Sequence, residues 1–381
     1  MIGLNLDSKH LSGRYQILNG LRGITLIWVI FVHLPSDAVP SFLLHIHDTW
    51  RFGVDFFLAI SGFLVTRSLS QCFVRFKGPT RKRDASIEFL IRRVARIFPS
   101  YFVVLFSVGA LAFAFRGGLL EQLRALGPTL LSFPLFFGNY TIPIFLHKLP
   151  HALIILWSVS FQEQFYLLLL VFYLFQKIQI KTLLLLSASA SIITRTLLTL
   201  GPWAGENHSE YLEMWLHLNF DAIAWGCLAW IYYEPLSHLW KGRLRSSLFV
   251  LFLLCGNAAV ISAPSFFPSD FAQAITSSFK APLFALSVRA ACEIEDHAHL
   301  LARLLRSRFL GWVGTISYET YLFHVLLFGV LQKLGLQGLT FTAIAYPLAL
   351  IVGHLAYQKI GMPGQDFLKS RLRRALLPIG R

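Results

Sequence analysis

Long apolar runs fill most of the chain, and short polar segments separate them. A helix that crosses a bilayer needs about 20 predominantly apolar residues. The pattern therefore predicts an all-α fold, a polytopic membrane helix bundle in which residues 1–381 form one integral-membrane domain. We expect about ten transmembrane helices, over residues 17–34, 52–69, 98–115, 153–175, 182–200, 218–233, 247–263, 271–288, 309–331 and 339–360.

The stretch 128–146 is apolar too, but it contains Pro128, Pro134 and Pro143. Proline removes a backbone donor and breaks a helix. Broken backbone at membrane depth occurs only where protein or water covers it. We interpret this stretch as an interfacial or re-entrant segment rather than a span.

Composition agrees with a membrane protein. The chain is 55% apolar and 14% charged, whereas soluble domains carry about 25% charged residues. This balance excludes an intrinsically disordered chain, which needs low hydrophobicity and high charge. It also excludes an ordinary soluble domain, because the surplus of apolar side chains must face lipid.

The net charge of +15 indicates membrane orientation rather than nucleic-acid binding. If the N-terminus is cytoplasmic, 24 of the 34 basic residues fall in cytoplasmic segments and 4 on the opposite side. Basic residues concentrate in cytoplasmic loops. We therefore predict that both termini are cytoplasmic, with residues 370–381 as a basic tail. Membrane lipids are expected partners, and nucleic acid is not.

The sequence carries no metal or soluble-enzyme signature. Its four cysteines are widely spaced and form no CxxC pair, which predicts neither a zinc site nor a disulfide framework. No G-x-S-x-G elbow, P-loop or H-E-x-x-H motif occurs. We expect no metal and no tightly bound cofactor.

Two ionisable residues lie in the first span, Arg22 and His33. Such residues are costly in a membrane and usually face a polar cavity. Eleven helical steps of about 100° bring them to one face, about 16 Å apart along the axis. The structural alternative is a snorkelling arginine together with a histidine that caps the helix.

Further polar residues interrupt the second, fourth, sixth and ninth predicted spans. They face either another helix, as structural hydrogen-bonding groups, or a polar cavity. They are Asp55 and Ser61 in the second span, Trp157, Gln162 and Glu163 in the fourth, Asp221 in the sixth, and Tyr318, Tyr321 and His324 in the ninth. Asp55 needs a cationic partner or water, and the candidate partners are His33 and Arg51.

Arg93 and Arg96 lie three residues apart, on one face of the helix expected to enter the third span. Two guanidinium groups placed in this way can bind phosphate oxygens. The alternative is ordinary anchoring of the helix at the cytoplasmic surface.

Five segments together resemble the acyltransferase-3 family of multi-pass membrane O-acyltransferases. The resemblance covers essentially the whole chain. Each motif alone is weakly specific, whereas five in order at compatible spacing are highly specific. The motifs are LRGITLIWVIFVH, GVDFFLAISGFL, RRVARIFPSY, WSVSFQEQFYLL and ISYETYLFH.

The resemblance implies an enzyme of the bacterial cytoplasmic membrane that moves an acyl group, expected to be acetyl, from acyl-CoA to a hydroxyl of a carbohydrate or glycolipid. Acyl-CoA is thus the expected co-substrate. His33 is the expected general base, and histidine suits this role near neutral pH. Asp55 and Glu163 are the other expected catalytic residues, with Asp55 orienting the imidazole. Expected substrate- and donor-binding residues are Arg22, Arg93, Arg96, Ser61, Trp157, Gln162, Asp221, Tyr318, Tyr321 and His324.

The chain departs from the family pattern at three positions. One is near the C-terminus, where the family often has an acid two residues before a proline and this chain has Gly361. The other two are positions 162 and 219. Gln162 occupies the position where the family commonly has glutamate, and Glu163 follows it. Either Glu163 takes over that role, or the role needs only a hydrogen bond. Asn219 stands where the family often has arginine.

The predicted orientation also suggests a layout, with His33 near the outer face and the two arginines near the inner face. The pantetheine arm of coenzyme A would then extend through a polar channel between them. A glycan or lipid transporter is the alternative function, and a non-catalytic scaffold is another. A transporter should show paired helices broken by Gly and Pro, and the sequence shows none.

Overall fold

The computed structural model describes residues 16–49, 52–76, 80–115, 118–174, 179–200, 214–232, 255–260, 262, 269–295 and 300–377. Within these ranges every regular element is helical, and no β-strand occurs. The helices are α1 Gln16–Val32, α2 Leu44–Thr49, α3 Gly53–Arg75, α4 Arg81–Phe115, α5 Gly118–Leu126, α6 Gly138–Phe145, α7 His151–Ile154, α8 Trp157–Leu174, α9 Ile180–Leu200, α10 Leu216–Ile231, α11 Ser269–Glu293, α12 Leu300–Leu305, α13 Arg308–Lys333, α14 Gly338–Ala356 and α15 Met362–Leu376. A π-helical turn, Tyr357–Gly361, joins α14 to α15.

The helical class predicted from the sequence is confirmed. Six helical segments of the described chain are long and apolar enough to cross a membrane, and α1 is apolar but shorter, with 17 residues. The predicted span 247–263 lies largely outside the described residues. The number of ten spans and the cytoplasmic location of both termini stay predictions. The six segments lie in α3, α4, α9, α13, the run His151–Leu174 and the run Gly338–Leu376.

The proline-rich stretch 128–146 forms short helical pieces, including a 3₁₀ turn and α6, rather than one long helix. Phe136 has a positive φ of 57°, a conformation that is uncommon for a bulky side chain. The side-chain amide of Gln164 on α8 donates to the Phe136 carbonyl at 2.6 Å and to Asn139 Oδ1 at 2.8 Å. These bonds hold the broken backbone against α8.

The chain divides into two compact units. The first comprises Met1–Val32, Leu43–Arg67 and Leu168–Thr315. The second comprises His33–Phe42, Ser68–Leu167 and Ile316–Arg381.

In the first unit, α3 and α10 cross with almost no side chain between them. A Cβ atom at Gly62 would lie 2.1 Å from the Ile223 carbonyl oxygen, and one at Gly226 would lie 2.1 Å from that of Ala59. Small residues permit this approach in membrane helix pairs. The Cys227 thiol donates to the Gly62 carbonyl at 3.4 Å across the same contact.

α1 is fixed at its start by a carboxylate of the first unit. The backbone N–H groups of Gln16 and Ile17 donate to the two oxygens of Glu295 at 3.1 and 3.0 Å. The first N–H groups of a helix have no partner within the helix, and the helix dipole favours an anion there. Glu295 therefore supplies both the acceptors and the charge.

In the second unit, α15 packs along α4. A Cβ atom at Gly364 would lie 2.6 Å from Cβ of Pro99. Nearer the end of α15 and the start of α4, Arg373 pairs with Glu88. α4 has 35 residues, a length of about 52 Å at 1.5 Å per residue. The hydrocarbon core is about 30 Å thick. α4 is thus longer than one span, and its surplus includes the basic turns at its N-terminal end.

The glycine contact between α3 and α10 predicts a large cost for a side chain there. We expect Gly226→Leu to lower the free energy of unfolding by about 3 kcal/mol or more, because the leucine would overlap the Ala59 backbone. Thermal unfolding in detergent measures the loss. Gly329→Leu on α13 is the matched control, since a Cβ there meets no atom within 4 Å. Equal melting temperatures for the two variants would contradict the close helix contact.

Candidate active site

Two histidines that are far apart in sequence meet in the second unit. His33 directly follows α1, and His324 lies on α13. Their ring centroids are 5.0 Å apart, with the rings nearly perpendicular at 85°. His324 is 1% exposed, whereas His33 is partly exposed. The structure thus joins the first-span and ninth-span residues predicted from the sequence, with His33 the more accessible of the two.

The backbone fixes the ring of His324. Its Nδ1 lies 2.7 Å from the Tyr321 carbonyl oxygen, and since a carbonyl only accepts, Nδ1 carries the hydrogen. In a neutral imidazole Nε2 is then the acceptor. Nε2 is buried and has no hydrogen-bond partner within the described residues. A buried acceptor of this kind is unusual and is available to another group.

Tyr321 is held by groups of the segment at the start of α8. Its hydroxyl donates to the Ile155 carbonyl at 2.8 Å and lies 2.8 Å from the Ser158 hydroxyl. The Ser158 hydroxyl also lies 3.3 Å from the Ile155 carbonyl oxygen, so the two hydroxyls and this carbonyl form one hydrogen-bonded cluster. Tyr321 therefore supports the backbone turn whose carbonyl orients His324.

Arg96 forms a buried ion pair with Glu319. Its Nη1 and Nη2 donate to the two carboxylate oxygens at 3.2 and 3.5 Å, and the Ser100 hydroxyl lies 3.3 Å from Oε1. Glu319 is 0% exposed, against 24% for Arg96. The guanidinium also lies over the rings of Tyr318, at 5.3 Å, and Tyr357, at 5.9 Å. This residue was predicted to bind phosphate, and the structure gives it a protein carboxylate.

Arg93 has a different environment, one turn earlier on α4. Its Nη2 makes a long contact of 3.5 Å to the Ser68 hydroxyl. The guanidinium lies 5.6 Å from the centroid of Tyr166, and Glu163 is within electrostatic range. Its Nε is buried without a hydrogen-bond partner among the described residues. Arg93 thus has more hydrogen-bonding capacity left for a ligand than Arg96.

The two neighbouring residues at the family's glutamate position have different surroundings. Gln162 accepts a bond from the Tyr166 hydroxyl at 2.9 Å. Glu163 interacts electrostatically with Arg93, and its Oε1 is buried without a hydrogen-bond partner in the described chain. Only Glu163 can place a negative charge beside Arg93. Trp157 packs edge-on against Phe161, with centroids 6.2 Å apart.

Glu319 and His324 lie close together on α13. His324 follows Glu319 by five residues, about 7.5 Å along the helix. Glu319, the partner of Arg96, therefore lies about one and a half helical turns before His324. This arrangement concentrates the polar side chains of the second unit around the middle of α13.

Four predicted site residues belong to the first unit. Asp55 pairs with Lys280 on α11 at 2.5 Å, and both are partly buried, at 17% and 19% exposure. Arg22 and Ser61 are partly exposed on α1 and α3. The predicted pairing of Asp55 with His33 stays a prediction, and the other predicted partner, Arg51, lies outside the described residues.

Asp221, the fourth of these residues, is bound by Arg195 on α9. Arg195 donates from Nη1 and Nη2 to the two oxygens of Asp221 at 3.1 and 2.8 Å. Nη1 also donates to Asn219 Oδ1 at 3.2 Å. Asn219 has non-helical φ/ψ, which kinks α10. A guanidinium thus reaches Asp221 from another helix, although this chain has no arginine at position 219.

Sequence reasoning assigned no role to Arg195, Lys280 or Glu319. Each is a charged residue inside a predicted span, and that signal alone marks a position that needs a partner. The partner itself depends on helix packing. The described residues contain no group of three side chains that could hold a metal ion.

Comparison with known proteins identifies a matching protein family. The profile of a family described as an acyltransferase domain matches residues 15–358. No solved structure matches the chain.

Three curated bacterial proteins illustrate the similarity. The chain is 26% identical over 378 residues to the putative peptidoglycan O-acetyltransferase YrhL of Bacillus subtilis (strain 168), covering 91% of this chain and 54% of that protein. It is 28% identical over 319 residues to the peptidoglycan O-acetyltransferase OatA of Listeria monocytogenes serovar 1/2a, covering 81% and 48%. It is 25% identical over 339 residues to the O-acetyltransferase OatA of Staphylococcus aureus (strain NCTC 8325), covering 87% and 53%.

The chain spans about half the length of these relatives. The family profile, in contrast, extends over most of this chain, and the five motifs recognised in the sequence all lie inside the matched region. The chain therefore belongs to the acyltransferase-3 family, the acyltransferase-domain family of this profile.

Proposed function

We propose that this protein transfers an acyl group, acetyl by analogy with its relatives, from acyl-CoA to a hydroxyl of peptidoglycan or another surface glycan. The observation that carries the proposal is the contact between the His33 and His324 rings, in the same unit as Arg93 and Arg96. The names of three relatives, all O-acetyltransferases and two of them peptidoglycan O-acetyltransferases, support the reaction and the acceptor class.

His33 acts as the general base in this proposal. It takes the proton of the acceptor hydroxyl as the oxygen attacks the thioester carbonyl carbon. The carbon–sulfur bond then breaks, and the imidazolium returns the proton to the leaving thiolate. Histidine titrates near neutral pH and suits both steps. His324, whose Nδ1 is fixed by the backbone, limits the positions that the His33 ring can adopt.

Glu163 and Asp55 keep supporting catalytic roles. Glu163, beside Arg93, supplies the carboxylate that the family commonly has at position 162. Asp55 stays a predicted catalytic residue, and within the first unit Lys280 balances its charge. Trp157, Gln162, Tyr318 and Tyr321 complete the proposed site of the second unit, and Arg22, Ser61 and Asp221 of the first unit stay predicted binding residues.

The donor reaches the site from the cytoplasm. If the chain has the predicted ten spans and cytoplasmic termini, the basic end of α4 lies on the side of a bacterial cytoplasmic membrane where acyl-CoA is made. Arg93, with its uncommitted Nε, binds a donor phosphate. The acceptor glycan enters from the opposite side.

Removing the His33 imidazole tests the base. We expect His33→Ala to lower the rate of transfer from labelled acetyl-CoA to peptidoglycan fragments about 100-fold or more, because general-base catalysis contributes factors of this size. CoA affinity and thermal stability should change little. His151→Ala is the control, an exposed histidine of the same unit outside the site. Near-normal turnover by His33→Ala would refute the assignment.

Substitutions of Arg96 and Arg93 should have different effects, one on stability and the other on CoA binding. Arg96→Gln leaves the buried Glu319 carboxylate unpaired, which typically costs about 3–5 kcal/mol, so we expect a lower unfolding temperature. Arg93→Gln breaks no close ion pair, so we expect weaker CoA binding, about tenfold, at nearly unchanged stability. Calorimetric titration and thermal unfolding separate the two effects.

The double variant Arg96→Gln/Glu319→Gln provides the internal control. Removing both charges should restore much of the stability that Arg96→Gln loses, because no buried charge then lacks a partner. If the double variant is no more stable than Arg96→Gln, the ion pair does not explain the loss.

A further inference from the structure

The C-terminal helix α15 lies beyond the region that the family profile matches, which ends at residue 358. It carries Lys369, Arg371, Arg373 and Arg374 against a single acid, Asp366. Nothing in the family motifs assigns a role to these residues. Their placement in the second unit, however, brings two of them to the arginine-rich turns of α4.

Glu88 joins α15 to α4. Its carboxylate is 1% exposed and accepts from Arg92 Nε at 2.9 Å, from Arg373 Nε at 2.9 Å and from Arg373 Nη2 at 2.5 Å. One carboxylate thus orients two guanidinium groups from different helices. These bonds leave both terminal nitrogens of Arg92 and Nη1 of Arg373 without a protein partner in the described chain.

Positive charge exceeds negative charge around this junction. Lys369 lies within electrostatic range of Arg373, Arg92, Glu88 and Asp366. The buried Cys72 thiol on α3 lies within electrostatic range of Arg92, Glu88, Arg93 and Arg75. Five cations therefore share three carboxylates, Glu88, Asp366 and the Glu163 beside Arg93. Arg92 and Arg373 remain 23% and 42% exposed.

Such a cluster matches a ligand with several phosphate groups. Guanidinium groups bind phosphate through paired hydrogen bonds, and a lysine adds a mobile point charge. Glu88 holds the two guanidinium groups in place before a ligand arrives, which lowers the entropy cost of binding. Arg93 is the next residue along α4, so a phosphate bound by Arg92 would lie close to it.

We infer that Arg92, Lys369 and Arg373 form a phosphate-binding site, built jointly by α4 and α15, that holds the phosphates of the acyl-CoA donor. The identity of the donor rests on the proposed function. The site itself rests on the Glu88 junction and on the excess of cations. An anionic lipid headgroup is a second source of the same phosphate chemistry at a membrane surface.

Lys369→Gln tests the site without breaking the Glu88 junction, because Lys369 makes none of its hydrogen bonds. Wild-type full-length protein is placed in phosphatidylcholine nanodiscs and titrated with coenzyme A. We expect the dissociation constant to rise about tenfold in Lys369→Gln. The titration is repeated with dephospho-coenzyme A, which lacks the 3′-phosphate. If Lys369 contacts that phosphate, the difference in affinity between the variant and wild type should be smaller than with coenzyme A. If Lys369 contacts the diphosphate, the two differences should be equal.

Arg371→Gln is the matched control. It removes one positive charge from the same helix, but two residues along a helix turn the side chain by about 200°, and Arg371 lies against the ring of Phe367. We expect less than a twofold change in coenzyme A affinity. Equal weakening by both variants would show a general charge effect and overturn the site.

A measurement of lipid binding distinguishes the two sources of phosphate, the donor and the lipid headgroup. Retention of phosphatidylglycerol by the purified protein is measured by mass spectrometry for wild type and both variants. Selective loss of lipid in Lys369→Gln, with unchanged coenzyme A affinity, would support the phosphate site and overturn the donor as its ligand. Unchanged binding of both would overturn the site while leaving the proposed function intact. Failure of wild type to bind coenzyme A would instead contradict the proposed donor.

Discussion

A charge buried among apolar helices needs an opposite charge beside it, because neither lipid nor the protein interior solvates it well. The described helices meet this requirement with pairs that join different helices. Arg195 on α9 binds Asp221 on α10, Lys280 on α11 binds Asp55 on α3, and Arg96 on α4 binds Glu319 on α13. Such pairs add little net stability over apolar contacts, but breaking one is costly. They therefore specify which helices pack together and at what register.

His324 is the contrast to these satisfied charges. Tyr321, one turn earlier on α13, uses its hydroxyl on Ile155 and Ser158, and its carbonyl fixes His324 Nδ1. The second nitrogen of that ring is buried and has no hydrogen-bond partner in the described chain, and the ring of the partly exposed His33 lies 5.0 Å away, centroid to centroid. A rigid polar surround with one unused acceptor is typical of sites where a substrate completes the network.

Three arginines within five residues of α4 serve three different partners. Arg92 reaches Glu88 on its own helix, which also binds α15, Arg93 lies between Ser68 and Tyr166, and Arg96 reaches Glu319 on α13. Their roles follow from their neighbours rather than from their shared chemistry. A guanidinium opposite a buried carboxylate stabilises helix packing, whereas one with unused donors beside further cations suits an anionic ligand.

The sequence by itself determined the helical class, the membrane character and the family, because these depend on the length of apolar runs and on short motifs that local spacing preserves. It also identified Arg22, His33, Asp55, Asp221 and His324 as residues with a reason to be polar. Only the tertiary structure decided their neighbours. The sequence indicated that Asp55 needs a cationic partner, and the structure shows one in Lys280, 225 residues further along the chain. Helical periodicity defines the face on which a side chain lies, but which other face it meets depends on helix packing, here on glycines such as Gly62 and Gly226. For this reason the Arg96–Glu319 pair, the Glu88 junction and the contact between the two imidazoles followed from the packing of distant helices and from no local pattern.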